Sequence, residues 1–575
     1  MKSQTNLWKG ALVLGLVMVL GATIVVSFKK SVLRTAPAES RAAVLALTVT
    51  PPVVAGKDDE FEDVTVKAGI GFVNQYCDSR IANILESNGA GGVWLDYDGD
   101  GFMDIYLVNS GPLEGVTHQA AGTAREPNRL YRNRGDGTFE DVTKKAGVEG
   151  AGYGTAAIAA DYDNDGHTDL FVIGVGRCLL YHNRGDGTFE DVTEKAGVAN
   201  AGGTGIGGAF LDIDNDGYLD LFVANYLTFD PSYQLYFSAD AYPGPLSYKP
   251  QFNKLYRNRG NGTFEDVSES SGIQIPGNRA MSAAVLDYNR DGAPDLYISN
   301  DGTPNVLLVN DGKGHFRDMA PKAGVAFNAM GDAAGSMAAT IGDCNGDGYD
   351  DIFVTRLGYG SLYLGNAKGA YEDHMMASGL GSLTAQFVGW GGCFLDFDND
   401  GDLDIFIANG DAHYLVGWES LLLENTGSGI YVDAANKGGE YFKTKVRARG
   451  SAVGDLDNDG RMDLLVTTMG DRPFLLHNRD QSGNHWITLD LVGTKSNRDG
   501  FGATVKITAA GNEYFAESRC VFGFLMQSDR RLHFGLGKAT TIERIQVNWP
   551  SRQVQELTNL KPDLILKIVE PGDRK

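Results

Sequence analysis

A nine-residue acidic segment of pattern D-x-[DN]-x-D-G-x-x-D occurs seven times in this 575-residue chain. The copies begin at Asp96, Asp161, Asp212, Asp287, Asp343, Asp396 and Asp455, 51 to 75 residues apart. A unit repeated at such a period builds a repeat architecture, in which each unit buries a face against its neighbours. Every copy has the same surroundings. Upstream lies a strand of small residues, such as GTAAIAA or GIGGAFL; downstream lies an apolar strand, such as LFVIG or LFVAN. A third strand, a turn and a fourth strand follow, most plainly in LYRNRGDGTFEDVT (130–143), LYHNRGDGTFEDVT (180–193) and LYRNRGNGTFEDVS (255–268). Seven units of four short antiparallel strands predict an all-β fold, a seven-bladed β-propeller over 59–483. The small first strands suit a crowded central channel. The seventh unit stops at FLLHN (474–478), and FEDVTVKAGI (61–70) stands alone before the first. The N-terminal strand is therefore expected to complete the last blade and leave no free edge.

The acidic segments carry the chemistry. In a tight loop, side chains at positions 1, 3, 5 and 9 converge, and the glycine at 6 permits the turn. The candidate metal ligands are Asp96, Asp98, Asp100 and Asp104 in the first loop, and Asp161, Asp163, Asp165 and Asp169 in the second. Asp212, Asp214, Asp216 and Asp220 follow in the third, then Asp287, Asn289, Asp291 and Asp295 in the fourth. The fifth has Asp343, Asn345, Asp347 and Asp351, the sixth Asp396, Asp398, Asp400 and Asp404, and the seventh Asp455, Asp457, Asp459 and Asp463. Hard oxygen ligands in this number suit Ca²⁺, up to seven ions in a structural role, and the lack of soft ligands argues against zinc or copper. Asn289 and Asn345 each remove one charge, so those two sites are expected to be weaker.

The formal net charge of −24 fits the same reading, since seven divalent ions would bring +14. It argues against a nucleic-acid partner, which needs a basic face. Gly is high, 76 residues, as a chain of many turns requires. Five cysteines lie far apart, with no CxxC. The nine histidines are scattered, with neither HExxH nor GxSxG; His182 and His477 take the place of Arg132 and Arg257 in the repeat, and His533 reads as a packing residue.

Residues 10–28 form 19 uncharged residues flanked by lysines. At 1.5 Å rise they span ~28 Å, close to the hydrocarbon core of a bilayer. The N-terminal segment 1–30 is therefore expected to be a transmembrane helix acting as a signal anchor; if it is cleaved, the protein is secreted. Residues 31–58 read as a linker. The basic residues after the apolar run outnumber those before it, which taken alone would hold the body in the cytoplasm. Calcium outside the cytoplasm favours export to a periplasm or cell surface, membrane-anchored.

The repeats resemble the FG-GAP/VCBS repeats of integrin-α-type propellers. NRDGFGATVKI (497–507), GFLMQSDRRLHFGLG (523–537) and IERIQVNWPSRQVQEL (542–557) resemble the ASPIC/UnbV domain. Together they are similar to the CRTAC1-like family, and the resemblance implies a calcium-bound, exported propeller. Two departures stand out: Met526 where the family tends to a small polar residue, and Arg552 where it tends to glycine. Read from its own residues, 484–575 is a small β-domain, with strand-like HWITLDLVG, ATVKITA, LHFGLG, RIQVNW and LILKIVE.

Two insertions, 109–127 and 226–254, interrupt the repeat, and the second is rich in tyrosine and phenylalanine. Two functions are open. One is a binding or adhesion module for a protein, glycan or small ligand. The other is an acid–base enzyme (isomerase, cyclase or hydrolase) with a pocket at the channel mouth under 226–254, for which Asp230, Asp240 and Asp402 are the available carboxylates. No nucleophile–base pair is visible, and the catalytic residues are unknown. Arg134-Gly135-Asp136 and Arg184-Gly185-Asp186 sit in hairpin turns and read as turn chemistry.

Overall fold

The computed structural model describes residues 49–75, 81–113, 116–117, 125–233, 242–521 and 523–572. From Val49 on, the described residues belong to one compact unit. The apolar run 10–28 lies outside the described residues, as do Cys77, His118 and Asp240. Among the described residues no helix is long and apolar enough to cross a membrane.

Each acidic loop joins the first two strands of an antiparallel sheet. In the second repeat the sheet runs Tyr153–Ala160, Asp169–Val175, Leu179–Asn183, Phe189–Asp191, in that order. Equivalent four-stranded sheets begin at Gly92–Leu95, Gly205–Leu211, Ala280–Leu286, Ser336–Gly342 and Gly389–Leu395. In the last repeat, Ala448–Gly454, Asp463–Thr468 and Phe474–Asn478 take Phe61–Asp63 as their fourth strand, with Phe61 opposite Asn478. The first strand of each sheet touches the first strand of the next, and Ala448–Gly454 touches Gly92–Leu95 again. The sheets are thus an all-β, propeller-like closed ring. Small residues on the first strands let these inner strands approach one another.

Closure is reinforced by a buried ion pair. Arg472 meets Asp63 at 2.6 Å, with side chains 5% and 1% exposed. Arg472 also donates to the carbonyls of Thr50 (2.8 Å) and Pro51 (3.0 Å), and Asp471 accepts from Thr50 N at 2.8 Å. Residues 49–53 of the segment expected to be a linker are therefore strapped along the seventh sheet.

The C-terminal segment forms two sheets around one core. His485–Val492 pairs antiparallel with Leu532–Gly537 and parallel with Leu564–Val569. Asn512–Glu517, Thr504–Ala509, Ile542–Asn548 and Val554–Leu560 make the other sheet, and Ile487, Leu489, Val505, Ile545 and Trp549 are buried between them. The strands 512–517 and 554–560 carry alternating polar residues and were not apparent from the sequence pattern.

This segment also enters the ring. Met526–Gln527 pairs parallel with Gly92–Val93, adding a fifth strand to the first sheet. The Gln527 amide accepts from Ala159 N at 2.9 Å and donates to Ala159 O at 3.0 Å. Ser528 Oγ accepts from Val453 N at 3.0 Å, Arg519 donates to Val285 O at 3.2 Å, and Phe524 packs on Trp390 with centroids 5.4 Å apart. One strand of chain thus fills the channel lined by the inner strands. A Cβ on Gly450 would sit 2.6 Å from Met526 Cγ, so the small inner strands make room for this finger as well as for one another.

The insertion 226–254 follows a second strand and so lies at the ring end opposite the acidic loops. Tyr226, Tyr242 and Tyr248 are buried in the same core as Phe524 and Leu525. Tyr226 hydrogen-bonds Asp301, and Tyr242 bonds Ala412 O while stacking on His413. Buried Arg449 lies over Trp390 and donates to Ser87 O at 2.6 Å and Asp411 O at 2.8 Å. Among the described residues, aromatic and guanidinium groups pack across this mouth. Asp230 lies in an exposed turn bonded to Ser232, and Asp402 belongs to the sixth acidic loop.

Candidate metal centres

All seven acidic loops share one hydrogen-bond scheme. The position-1 carboxylate accepts from the backbone N–H groups of positions 5 and 6: Asp161 takes Asp165 at 3.0 Å and Gly166 at 2.7 Å. The position-5 carboxylate accepts from position 7, as Asp165 does from His167 at 2.9 Å. The position-9 aspartate opens the second strand and is clamped from two sides. Asp220 accepts from Ile213 N at 2.8 Å and from Asn258 N, on the third strand, at 2.7 Å. These bonds point the remaining oxygen lone pairs inward.

Position 3 supplies the test of fit to a cation. The Oδ1 atoms of Asp98, Asp163, Asp214 and Asp457 are buried and have no hydrogen-bond partner. A buried carboxylate oxygen left unpaired is costly. Its oxygen neighbours are other carboxylates: ligand atoms of Asp96, Asp98 and Asp104 lie within 4.8 Å of one another, as do those of Asp161, Asp163 and Asp165 and of Asp212, Asp214 and Asp220. Such all-oxygen sets fit a hard divalent cation.

Electrostatics agree. Burial, then the neighbouring Asp499 and Asp169, push Asp161 up to about 8. Burial carries Asp104 and Asp295 to about 8, and Asp212 and Asp455 to about 7, with further carboxylates adding to the rise. The loops as folded are short of positive charge. In four repeats a basic side chain from the third strand answers part of it. Arg132 pairs with Asp98 at 2.5 Å, Arg257 pairs with Asp214, His182 lies 3.3 Å from Asp163, and His477 lies 3.9 Å from Asp457. The repeats with asparagine at position 3 have Val309 and Leu364 at that place instead. There the amide serves as the local donor: Asn289 reaches Asp291 at 2.8 Å and Asn345 reaches Asp347 at 3.3 Å. The basic position is thus part of the loop, a role its place in a distant strand conceals.

Two further residue types join one loop to the next. The third-strand asparagine reaches back: Asn258 Nδ2 donates to Tyr162 O at 2.8 Å, and Asn133 Nδ2 donates to Leu456 O at 2.7 Å, across the ring closure. The position-4 residue reaches forward from a positive φ. Asn164 bonds Gly217 O at 2.8 Å, Asn215 bonds Gly292 O at 3.1 Å, Asn399 bonds Gly460 O at 2.9 Å, and Asn458 bonds Gly101 O at 3.0 Å. Neither type was singled out in the sequence, although the recurring N of LYRN and the N of DxDND were visible there.

The C-terminal segment sits on these loops. Asp161 N donates to Asp499 at 2.8 Å, Arg498 N donates to Asn164 Oδ1 at 2.8 Å, and Arg531 donates to Asn458 Oδ1 at 2.9 Å. Asp287 N donates to Glu517 at 3.2 Å. His533, held neutral by burial and by Arg531 with its pKa lowered to about 3, lies 2.7 Å from Asn399 Oδ1 and stacks on Trp486. It packs and orients. The Asp136 and Asp186 carboxylates accept from Thr138 and Thr188 of their own turns at 2.6 Å, so the RGD sequences are turn structures.

Comparison with known proteins agrees with this geometry. The FG-GAP-like repeat model matches residues 96–172, 161–223, 242–298, 287–354, 343–407 and 396–466, most matches starting on a position-1 aspartate. The ASPIC and UnbV model matches 493–575. Human cartilage acidic protein 1 is 23% identical over 331 residues, 56% of this chain and 41% of that protein. The Xenopus tropicalis protein of the same name is 25% identical over 315 residues, 52% of this chain and 38% of that one. The matched part thus spans about two fifths of these relatives' length. Among solved structures, an Agrocybe aegerita lectin recognising non-reducing terminal N-acetylglucosamine aligns at TM-score 0.38 and 17% identity, covering 66% of this chain and 86% of the lectin. The chain belongs to the family of FG-GAP-like repeat proteins that end in an ASPIC and UnbV domain, the family that resembles cartilage acidic protein 1.

Proposed function

We propose that the protein is an exported binding module: a seven-bladed propeller held by structural Ca²⁺ in its acidic loops, tethered to a membrane through residues 10–28. The observation that carries the metal reading is the buried, unpartnered Oδ1 of Asp98, Asp163, Asp214 and Asp457, repeated in the same place of four loops. Calcium would be held by positions 1, 3, 5 and 9 of each loop. Bound there, it neutralises the carboxylates and stiffens the turn between first and second strands. Because the C-terminal segment rests on the same loops, the ion would also firm the seat of that segment. Binding is favoured over catalysis because the channel is filled by residues 519–528 on one side and closed by Tyr226, Tyr242 and Arg449 on the other. The partner is a protein, glycan or small ligand. The test is thermal melting of the full chain in calcium and in EGTA. A marked fall of Tm on chelation supports the reading; an unchanged Tm refutes structural calcium.

A further inference from the structure

A cavity of about 590 Å³ lies on the seam between the fourth and fifth acidic loops and the C-terminal sheet Thr504–Val554. That volume is in the range of small-ligand sites, ~300–1,000 Å³. Its ring-side wall holds Asp287, Asp291 and Asp343, candidate ligands of the two loops with asparagine at position 3 and no basic third-strand residue. Aromatic faces surround this floor. Tyr288 and Tyr371 stack with centroids 6.1 Å apart, and Arg290 lies 3.8 Å over the Tyr349 ring. Opposite stand Phe515, under Lys506, and the side-chain amides of Gln546 and Asn548. Asp350 and Glu517, at the base, are answered by buried Arg519, which bonds both Asp350 oxygens at 3.0 and 2.9 Å.

Arg552 is the residue without a structural task. It lines the cavity from a turn at φ 68, in the left-handed region where a side chain is strained and glycine is usual. Among the described residues its guanidinium has no hydrogen bond or ion pair. The strained backbone holds an exposed, unpaired charge at the edge of the cavity, and strain of this kind gathers at functional sites. Arg552 is the cation of the C-terminal rim, since Lys506 pairs with Glu513 at 2.7 Å. Flat aromatic faces, planar amides and a basic rim over two acidic loops together select a ring-shaped polyhydroxy ligand that bears an anion.

We propose that this cavity binds an anionic sugar, its carboxylate or sulfate on Arg552, its ring on the tyrosines and Phe515, and its hydroxyls toward the amides and the fourth and fifth loops. The proposal rests on the binding-module reading and adds a place and a ligand class to it. The guanidinium pairs with carboxylate or sulfate through parallel N–H···O bonds.

The experiment is calorimetric titration of the full chain in detergent and saturating calcium with three probes: tetragalacturonate, a heparin-derived sulfated tetrasaccharide, and maltotetraose. At least one anionic probe is expected to bind about tenfold or more tighter than the neutral one, and the two anionic arms tell carboxylate from sulfate. Arg552→Gly, which suits the positive φ, should weaken binding about tenfold or more without lowering Tm. Equal binding of maltotetraose, an unchanged affinity in Arg552→Gly, or binding of none of the three probes overturns the proposal. The calcium response of Tm in the same samples separates the two readings. A normal calcium shift without sugar binding sinks this proposal alone, and Arg552-dependent binding without a calcium shift sinks the metal reading alone.

Discussion

The side-chain amide of Asn164 donates to the carbonyl of Gly217, 2.8 Å away, so the second acidic loop grips the third. Asn215 repeats the contact to Gly292, and Asn399 and Asn458 carry it to Gly460 and Gly101. Position 4 is glycine, Gly99 and Gly346, in the first and fifth loops, which have no such side chain. The loops are therefore joined in arcs, and a cation that orders one loop orders the carbonyl its neighbour holds.

Asn215→Gly keeps the positive φ and removes only this link. It should cost about 0.5–1.5 kcal/mol in chemical denaturation, the net worth of one hydrogen bond. It should also weaken calcium binding at the fourth loop, which it does not ligate. Calcium titration of the variant checks this; an unchanged binding curve means the loops act independently.

The ring closure depends on Arg472 and Asp63. Arg472→Met leaves Asp63 buried without its cation and should cost about 3–5 kcal/mol. The measurement is urea denaturation of the full chain. A loss below about 1 kcal/mol, as for an exposed pair, would show that the N-terminal strand adds little to closure.

The finger inside the ring makes a sharper claim. Gln527→Leu removes the group that satisfies both Ala159 N–H and Ala159 C=O. Two buried backbone groups left unpaired cost about 2–5 kcal/mol together. If the variant melts with the wild type, residues 519–528 do not occupy the channel in solution.

The acidity of the loops sets a pH dependence with a definite sign. Asp104, Asp161 and Asp295 stand at about 8 in the fold against the usual 3.8, raised first by burial. Without divalent ions the folded state therefore binds more protons than the unfolded chain between these values, and stability increases as pH falls from about 8 toward 5. His182, raised to about 9 chiefly by its hydrogen bond to Asp169, acts in the same direction. Bound calcium keeps the carboxylates ionised and removes the trend. Melting in EGTA should give a higher Tm at pH 6 than at pH 8, and melting in calcium should not. A higher Tm at pH 8 in EGTA would mean that the loops are not starved of charge.

Much of this arrangement was legible before any coordinates. The seven acidic segments, the small first strands and the solitary FEDVT before the first repeat are local patterns, and Phe61–Asp63 does pair with Phe474–Asn478. What was hidden acts between repeats. Asn133 and Leu456 are 323 residues apart, and no local pattern shows that one side chain crosses the ring closure. The partner of the basic third-strand position is hidden because it lies in the acidic loop, a whole strand earlier in the chain. The aromatic richness of 226–254 does not show where each ring goes; Tyr242 is buried, its hydroxyl donating to Ala412 O across the mouth. Met526, where the resemblance implies a small polar residue, lies against Gly450 in the packed channel.

Calcium stoichiometry tests the central claim most directly. Native mass spectrometry of the full chain, prepared in calcium and desalted, should show up to seven retained ions. Mild chelation should strip two of them first, those of the fourth and fifth loops, where Asn289 and Asn345 replace aspartate. A chain that retains no calcium, or whose Tm is the same with and without it, would contradict the account.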